Sequence, residues 1–127
     1  MAKRKSKGFT LIELMIVLVI VAIIAAFAYP LYREAVRKGH RRAAQSAMME
    51  IVNQEHQYFI ANRAYADAAT LGFDLEDQIE ENYNLTIVVT AGPPPGFTVN
   101  MVAEGAQVED GDLSVTSAGV KTPAEKW

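Results

Sequence analysis

The chain has 127 residues, half of them hydrophobic, and a formal net charge of −3. That length supports one domain plus an anchor and no more. It contains no cysteine, which excludes disulfides, thiolate nucleophiles and Cys-based metal centres.

The first eight residues carry Lys3, Arg4, Lys5 and Lys7 and end at Gly8. Thr10 to Glu13 then lead into an unbroken apolar run, Leu14 to Tyr29. As a helix, Phe9 to Tyr29 spans about 31 Å, enough for a hydrocarbon core of about 30 Å. Four basic residues ahead of the run favour a cytoplasmic N-terminus. An ordinary cleaved signal peptide places its small-residue cut site after the apolar stretch, whereas here the glycine precedes it. An uncleaved single-pass anchor is the simplest alternative. Glu13 stands out because a carboxylate within an apolar membrane helix is costly and marks function by default. Pro30 removes a backbone donor, so it predicts a kink or local melting, or the end of the membrane span.

Residues 31–61 read as one helix, with Ala35, Val36, Ala43, Ala44, Ala47, Met48, Ile51, Val52, Glu55, Tyr58 and Phe59 spaced close to 3.6 and Glu55 the polar member. The stretch Arg37-Lys38-Gly39-His40-Arg41-Arg42 interrupts the apolar stripe. With Arg33, this basic run suits lipid phosphates or acidic surfaces of neighbouring chains. It is a weak sign of DNA binding without a groove-fitting scaffold. His40 and His56 are too far apart to argue for zinc.

Residues 62–82 lack a clear period and predict an irregular connection with one short helical turn. Strand alternation follows at Leu85–Thr90, Phe97–Met101 and Leu113–Thr116. Gly92-Pro93-Pro94-Pro95-Gly96 is a connection, since three prolines cannot supply ladder donors. The pattern predicts an α+β fold: a long N-terminal helix packed on an antiparallel meander of three or four strands. Residues 67–127 hold eleven acidic side chains against Lys121 and Lys126, which argues against a nucleic-acid partner. Glu109, Asp110 and Asp112 surround a turn glycine and are weak candidates for calcium, although the full loop signature is missing. No catalytic constellation or phosphate loop appears, so neither an enzyme nor a cofactor is expected.

The stretch from Lys7 to Tyr32, with Gly8-Phe9-Thr10-Leu11-Ile12-Glu13 at its core, resembles the class III signal sequence of type IV pilins. Later segments are similar to minor pilins of the PilE type: Tyr58-Phe59, Tyr65, Leu71-Gly72, Tyr83-Asn84-Leu85, Gly105-Ala106-Gln107 and Thr116 to Lys121, ending in Trp127. The resemblance implies a leader of residues 1–8, cut by a prepilin peptidase between Gly8 and Phe9, and N-methylation of Phe9. Residues 9–30 would be the transmembrane and polymerisation helix, 31–61 its amphipathic continuation, and 62–127 the αβ-loop and sheet. The exposed Phe9 amine and Glu13 would then stand at i and i+4 on one helix face, with Glu13 setting register in the filament. Removing the leader leaves a net charge of −7. Implied partners are other pilin subunits, the peptidase, the inner-membrane assembly platform and membrane lipid. The implied location is the bacterial inner membrane and then the extracellular pilus, serving adhesion and twitching motility. A type II secretion pseudopilin would share everything to Tyr32, and a DNA-uptake pilin would need a basic stripe on the sheet domain. Such pilins usually carry two cysteines near the C-terminus, whereas this chain has Glu109-Asp110-Gly111-Asp112 and Glu125-Lys126-Trp127 there.

Overall fold

The computed structural model describes residues 8–127; Lys3, Arg4, Lys5 and Lys7 lie outside the described residues. The chain divides into two units, Met1–Ala35 and Val36–Trp127. In the first, helix α1 begins at Leu11 and every described side chain is exposed. The helix assignment runs through Pro30 without interruption, so the backbone does not melt there. This is the one helix among the described residues that is long and apolar enough to cross a membrane.

In the second unit α1 runs on to Asn62. Its buried residues are Ala44, Ala47, Met48, Ile51, Val52 and Glu55, an i, i+3, i+4, i+7 pattern that places them on one face. Two short helices follow, α2 (Ala68–Leu71) and α3 (Asp77–Glu80), where the sequence suggested a single turn. Local chemistry fixes the first: Asp67 Oδ1 accepts the Thr70 N–H at 2.8 Å, and Gly72 closes the helix at φ 64°, a left-handed conformation suited to glycine.

The sheet is an antiparallel meander of β1 (Tyr83–Thr90), β2 (Gly96–Ala103), β3 (Leu113–Thr116) and β4 (Lys121–Thr122), in that spatial order. Leu85 faces Met101 across β1 and β2, Val99 faces Val115 across β2 and β3, and Ser114 faces Thr122 across β3 and β4. Strand β4 has two residues, too few to show a period of 2 in the sequence. Tyr83, Ile87, Phe97, Val99, Met101, Leu113 and Val115 turn inward and join the α1 stripe in one core. The opposite face carries Thr86, Val88, Thr98, Asn100, Ser114 and Thr116. Phe59 stacks on Tyr65 at 4.6 Å between ring centroids, and Tyr65 meets Phe97 edge-on at 4.7 Å, closing one end of the core.

Glu55 is fully buried on this apolar face. Its Oε2 accepts the Ala66 N–H at 3.0 Å, fastening the connection that leaves α1, while Oε1 has no partner. Burial pushes the Glu55 carboxyl above its usual range, against the opposing pull of the Ala66 N–H. An acid whose folded pKa is raised binds its proton more tightly when folded. Its contribution to stability is therefore complete below the unfolded value and lost as pH rises through the folded one. Glu55→Gln keeps an oxygen for Ala66 and removes the titration. Its unfolding free energy, compared with wild type in denaturant melts from about pH 4 to about pH 8, should gain relative to wild type as pH rises. Parallel curves would contradict this account.

Candidate assembly site

Gly8 and Phe9 are exposed and precede the first helical turn. Thr10 stands at the N-cap and Glu13 three residues on. Glu13 Oε2 accepts both the Thr10 N–H at 3.2 Å and the Thr10 hydroxyl at 3.1 Å. In return the Glu13 N–H donates to Thr10 Oγ1 at 3.3 Å. This is a capping box, a reciprocal pair that satisfies two of the helix's orphan donors. The carboxylate also sits where the macrodipole favours negative charge. Thr10 was not singled out by the sequence reading, although Thr-x-x-Glu ahead of an apolar run is the signature of this cap. Glu13 is thus anchored to its own helix end, one turn from the Gly8–Phe9 bond.

A second polar cluster lies in the sheet unit. Arg37 and Arg41, one helical turn apart on α1, face the loop that follows β2. Arg37 pairs with Glu109, and Arg41 Nη1 lies 2.6 Å from Asp110 Oδ1 with both side chains largely buried. Gln107, 1% exposed, sits in a 3-10 turn (Gly105–Gln107). The two N–H groups of its Nε2 are shared among the Arg37 carbonyl at 3.0 Å, the Tyr83 hydroxyl at 2.9 Å and Asp110 Oδ2 at 3.2 Å. Burial raises the Tyr83 pKa, so its hydroxyl stays protonated and neutral beside these acids. Asp112 Oδ1 accepts the Ala103 N–H at 2.9 Å.

The three candidate calcium ligands are thus each engaged by another group: Glu109 and Asp110 pair with arginines, and Asp112 accepts the Ala103 N–H at the end of β2. Among the described residues no group of three or more His, Cys, Asp or Glu is placed to hold a metal ion. The same pairing turns Arg37 and Arg41 inward, while Arg33 lies over the Tyr29 ring at 6.0 Å. The basic stretch is thus in part an internal clamp. On the sheet, Lys121 covers the Trp127 ring at 4.8 Å, and the β1–β2 connection carries no charge.

Removing one member of a largely buried pair leaves the other uncompensated. Arg41→Ala should cost the sheet unit about 2–3 kcal/mol, less than for a fully buried pair because both groups keep some solvent. Urea unfolding followed by Trp127 fluorescence measures it, and the Arg41→Ala/Asp110→Ala double variant should recover part of the loss.

Residues 3–29 match the model of the prokaryotic N-terminal methylation motif. Residues 30–114 match the model described as type IV minor pilin ComP, DNA uptake sequence receptor. Fimbrial protein EcpC of Eikenella corrodens is 33% identical over 118 residues, covering 84% of this chain and 72% of that protein. Type IV major pilin protein PilA of Myxococcus xanthus is 30% identical over 118 residues, covering 91% of this chain but 47% of PilA. The type IV wide pilus major component PilA4 of Thermus thermophilus is 37% identical over 62 residues, covering 49% of this chain and 47% of that protein. The chain thus spans about half the length of PilA and of PilA4. With a leader motif, an apolar helix and a helix-on-sheet unit all matched in order, this chain belongs to the type IV pilin family and is a structural protein rather than an enzyme.

Proposed function

We propose that the chain is a minor subunit of a type IV pilus, processed between Gly8 and Phe9 and methylated at Phe9. The observation that carries this reading is the exposed apolar start of α1 with a single carboxylate, Glu13, held at its first turn. Among the described residues no side chain covers this segment. Lipid covers it in the anchored form, and the helices of neighbouring subunits cover it in the filament. After cleavage the Phe9 amine lies within reach of its own or a neighbour's Glu13, and pairing neutralises both inside the apolar bundle. Residues 1–8 act as leader, 9–30 as membrane and polymerisation helix, 31–61 as its continuation and 62–127 as the surface-forming part. The prepilin peptidase, the inner-membrane assembly platform and other pilins are the partners of this cycle, and adhesion and twitching motility are its outputs.

A DNA-uptake role is the second reading, favoured by the description of the family model over residues 30–114. The charge of this chain opposes it. Duplex binding rests on phosphate neutralisation by Lys and Arg, and residues 67–127 offer Lys121 and Lys126 alone. A type II secretion pseudopilin is a third reading, to which the same first measurement responds.

Quantitative mass spectrometry of filaments sheared from cells should find the peptide beginning at methylated Phe9 as a small fraction of the main subunit. As the dominant protein it would be the major pilin. Absence from filaments with mature chain kept in the envelope would point to a pseudopilus. Glu13→Gln separates two roles of the carboxylate, because glutamine still completes a capping box but carries no charge. The variant should anchor and be cleaved normally yet be depleted from filaments at least tenfold, about 1.4 kcal/mol of lost assembly free energy. Normal incorporation would reduce Glu13 to a helix cap.

A further inference from the structure

The two edges of the sheet are built differently. Strand β4 is two residues long, contains Lys121 and runs directly into Pro123. Shortness, a lysine and a proline are common ways to keep an edge from pairing with another chain. Strand β1, the other edge, has none of them. It is eight residues long, and the sequence carries no charged residue from Asn82 to Ala103. The α2–α3 segment meets the start of β1, where Phe73, Leu75, Tyr83 and Leu85 line a common cleft. Beyond it lie Thr86 to Thr90, with Val88 56% and Val89 38% exposed.

The register shows which backbone groups are free. The Glu104 N–H donates to the Asn82 carbonyl at 2.9 Å, and the Ser117 N–H to the Phe97 carbonyl at 2.9 Å. Bonded pairs alternate in an antiparallel ladder. The even-numbered residues of β1 therefore bond to β2, and Leu85, Ile87 and Val89 direct their N–H and C=O groups outward. Among the described residues nothing accepts or donates to them across that edge.

We propose that this edge pairs with β1 of a second copy of the chain, antiparallel, about a two-fold axis through Val88. Thr86-Ile87-Val88-Val89-Thr90 reads nearly the same in both directions. Such pairing sets Thr86 against Thr90 of the second copy, Ile87 against its Val89, and Val88 against its Val88. The Ile87 and Val89 pairs exchange the free backbone bonds, and their side chains extend the inner apolar face. On the outer face a Val–Val contact lies between two Thr–Thr contacts, pairings that favour antiparallel strands. With no charge on either strand, like meets like without repulsion, and a strongly charged partner finds nothing to bind. A two-fold contact closes on itself, whereas successive subunits of a helical filament meet head to tail. This contact therefore joins neighbouring filaments, or two subunits before assembly. The strand pairing itself does not depend on the filament reading.

Cysteine crosslinking tests it in a chain that has no cysteine of its own. The two Val88 residues form a non-hydrogen-bonded pair with Cα atoms about 4.5 Å apart, within disulfide range. The full chain in detergent micelles is oxidised as V88C, T86C, T90C and the T86C/T90C double variant. V88C and the double variant should give covalent dimers. T86C and T90C alone should give at least tenfold less, because each lies about 13 Å from its own copy across the axis. Equal yields from all four would show random collision, and no dimer from V88C would remove the pairing; either result overturns the proposal. V88K, which opposes two like charges at the axis, should abolish self-association in sedimentation of the same micelles. Unchanged association would count equally against it. These readouts concern identical chains in a micelle, so they succeed or fail separately from the search for the chain in sheared filaments.

Discussion

The dominant physical constraint on this molecule is an apolar helix segment that no described residue covers. The buried residues of α1 begin at Ala44, whereas Leu11 to Tyr32 keep their side chains exposed. Apolar surface on this scale is not stable in water, so the segment needs lipid or other helices around it. The same burial that anchors a single chain can drive a bundle of many, and exchanging one for the other costs little apolar contact. What distinguishes the two environments is the treatment of charge. A carboxylate in a bilayer must be hydrated or neutralised, and the capping box with Thr10 gives Glu13 only neutral donors. A bundle that offers it a cation offers something lipid does not.

The sequence displayed the periodic parts of the fold well. The α1 stripe from Ala44 to Glu55 and the alternation in β1, β2 and β3 are local patterns, and the structure follows them. What stayed hidden was long-range or too short to have a period. The charges at Arg41 and Asp110 were visible, but their separation of 69 residues gave no sign of a pairing. The acidic loop was therefore open to a metal reading and the basic stretch to a lipid or DNA reading, when much of each is spent on the other. Gln107 was legible only as part of a family-like Gly-Ala-Gln, not as the buried centre of a network. Glu55 appeared as the odd member of an apolar stripe, and its reason, the Ala66 N–H, lies eleven residues on. Thr10 is the reverse case: its pattern with Glu13 was local and readable, but the interest of the glutamate obscured it.

Membership of a family whose model is described as a DNA uptake sequence receptor sits beside a sheet domain with little positive charge. The two are compatible because a fold and its binding surface are set by different residues. The helix stripe and the inward strand residues determine how the chain folds, and they lie within or next to the matched stretch, residues 30–114. Binding to a duplex is decided by exposed Lys and Arg, and here the connection between β1 and β2 is Ala91-Gly92-Pro93-Pro94-Pro95-Gly96. That connection carries no charge and so offers no cation to a phosphate.

The missing disulfide bears on how the C-terminal part is held. A disulfide acts mainly on the unfolded chain and holds its loop whatever the rest of the fold does. This chain uses contacts that exist only when the fold is complete. Gln45 Nε2 on α1 donates to the Lys126 carbonyl at 2.7 Å, the Trp127 indole packs against the core, and Lys121 lies over its ring. The Asp110 and Asp112 contacts fasten the preceding loop to α1 and β2. Each link runs to a different element, so the C-terminal segment is secured by the helix, the sheet and the loop jointly and by none alone. Its order therefore rises and falls with that of the whole unit, where a covalent staple would have kept it closed through partial opening. The fastening also needs no oxidising step, so the unit can reach its final form by folding alone.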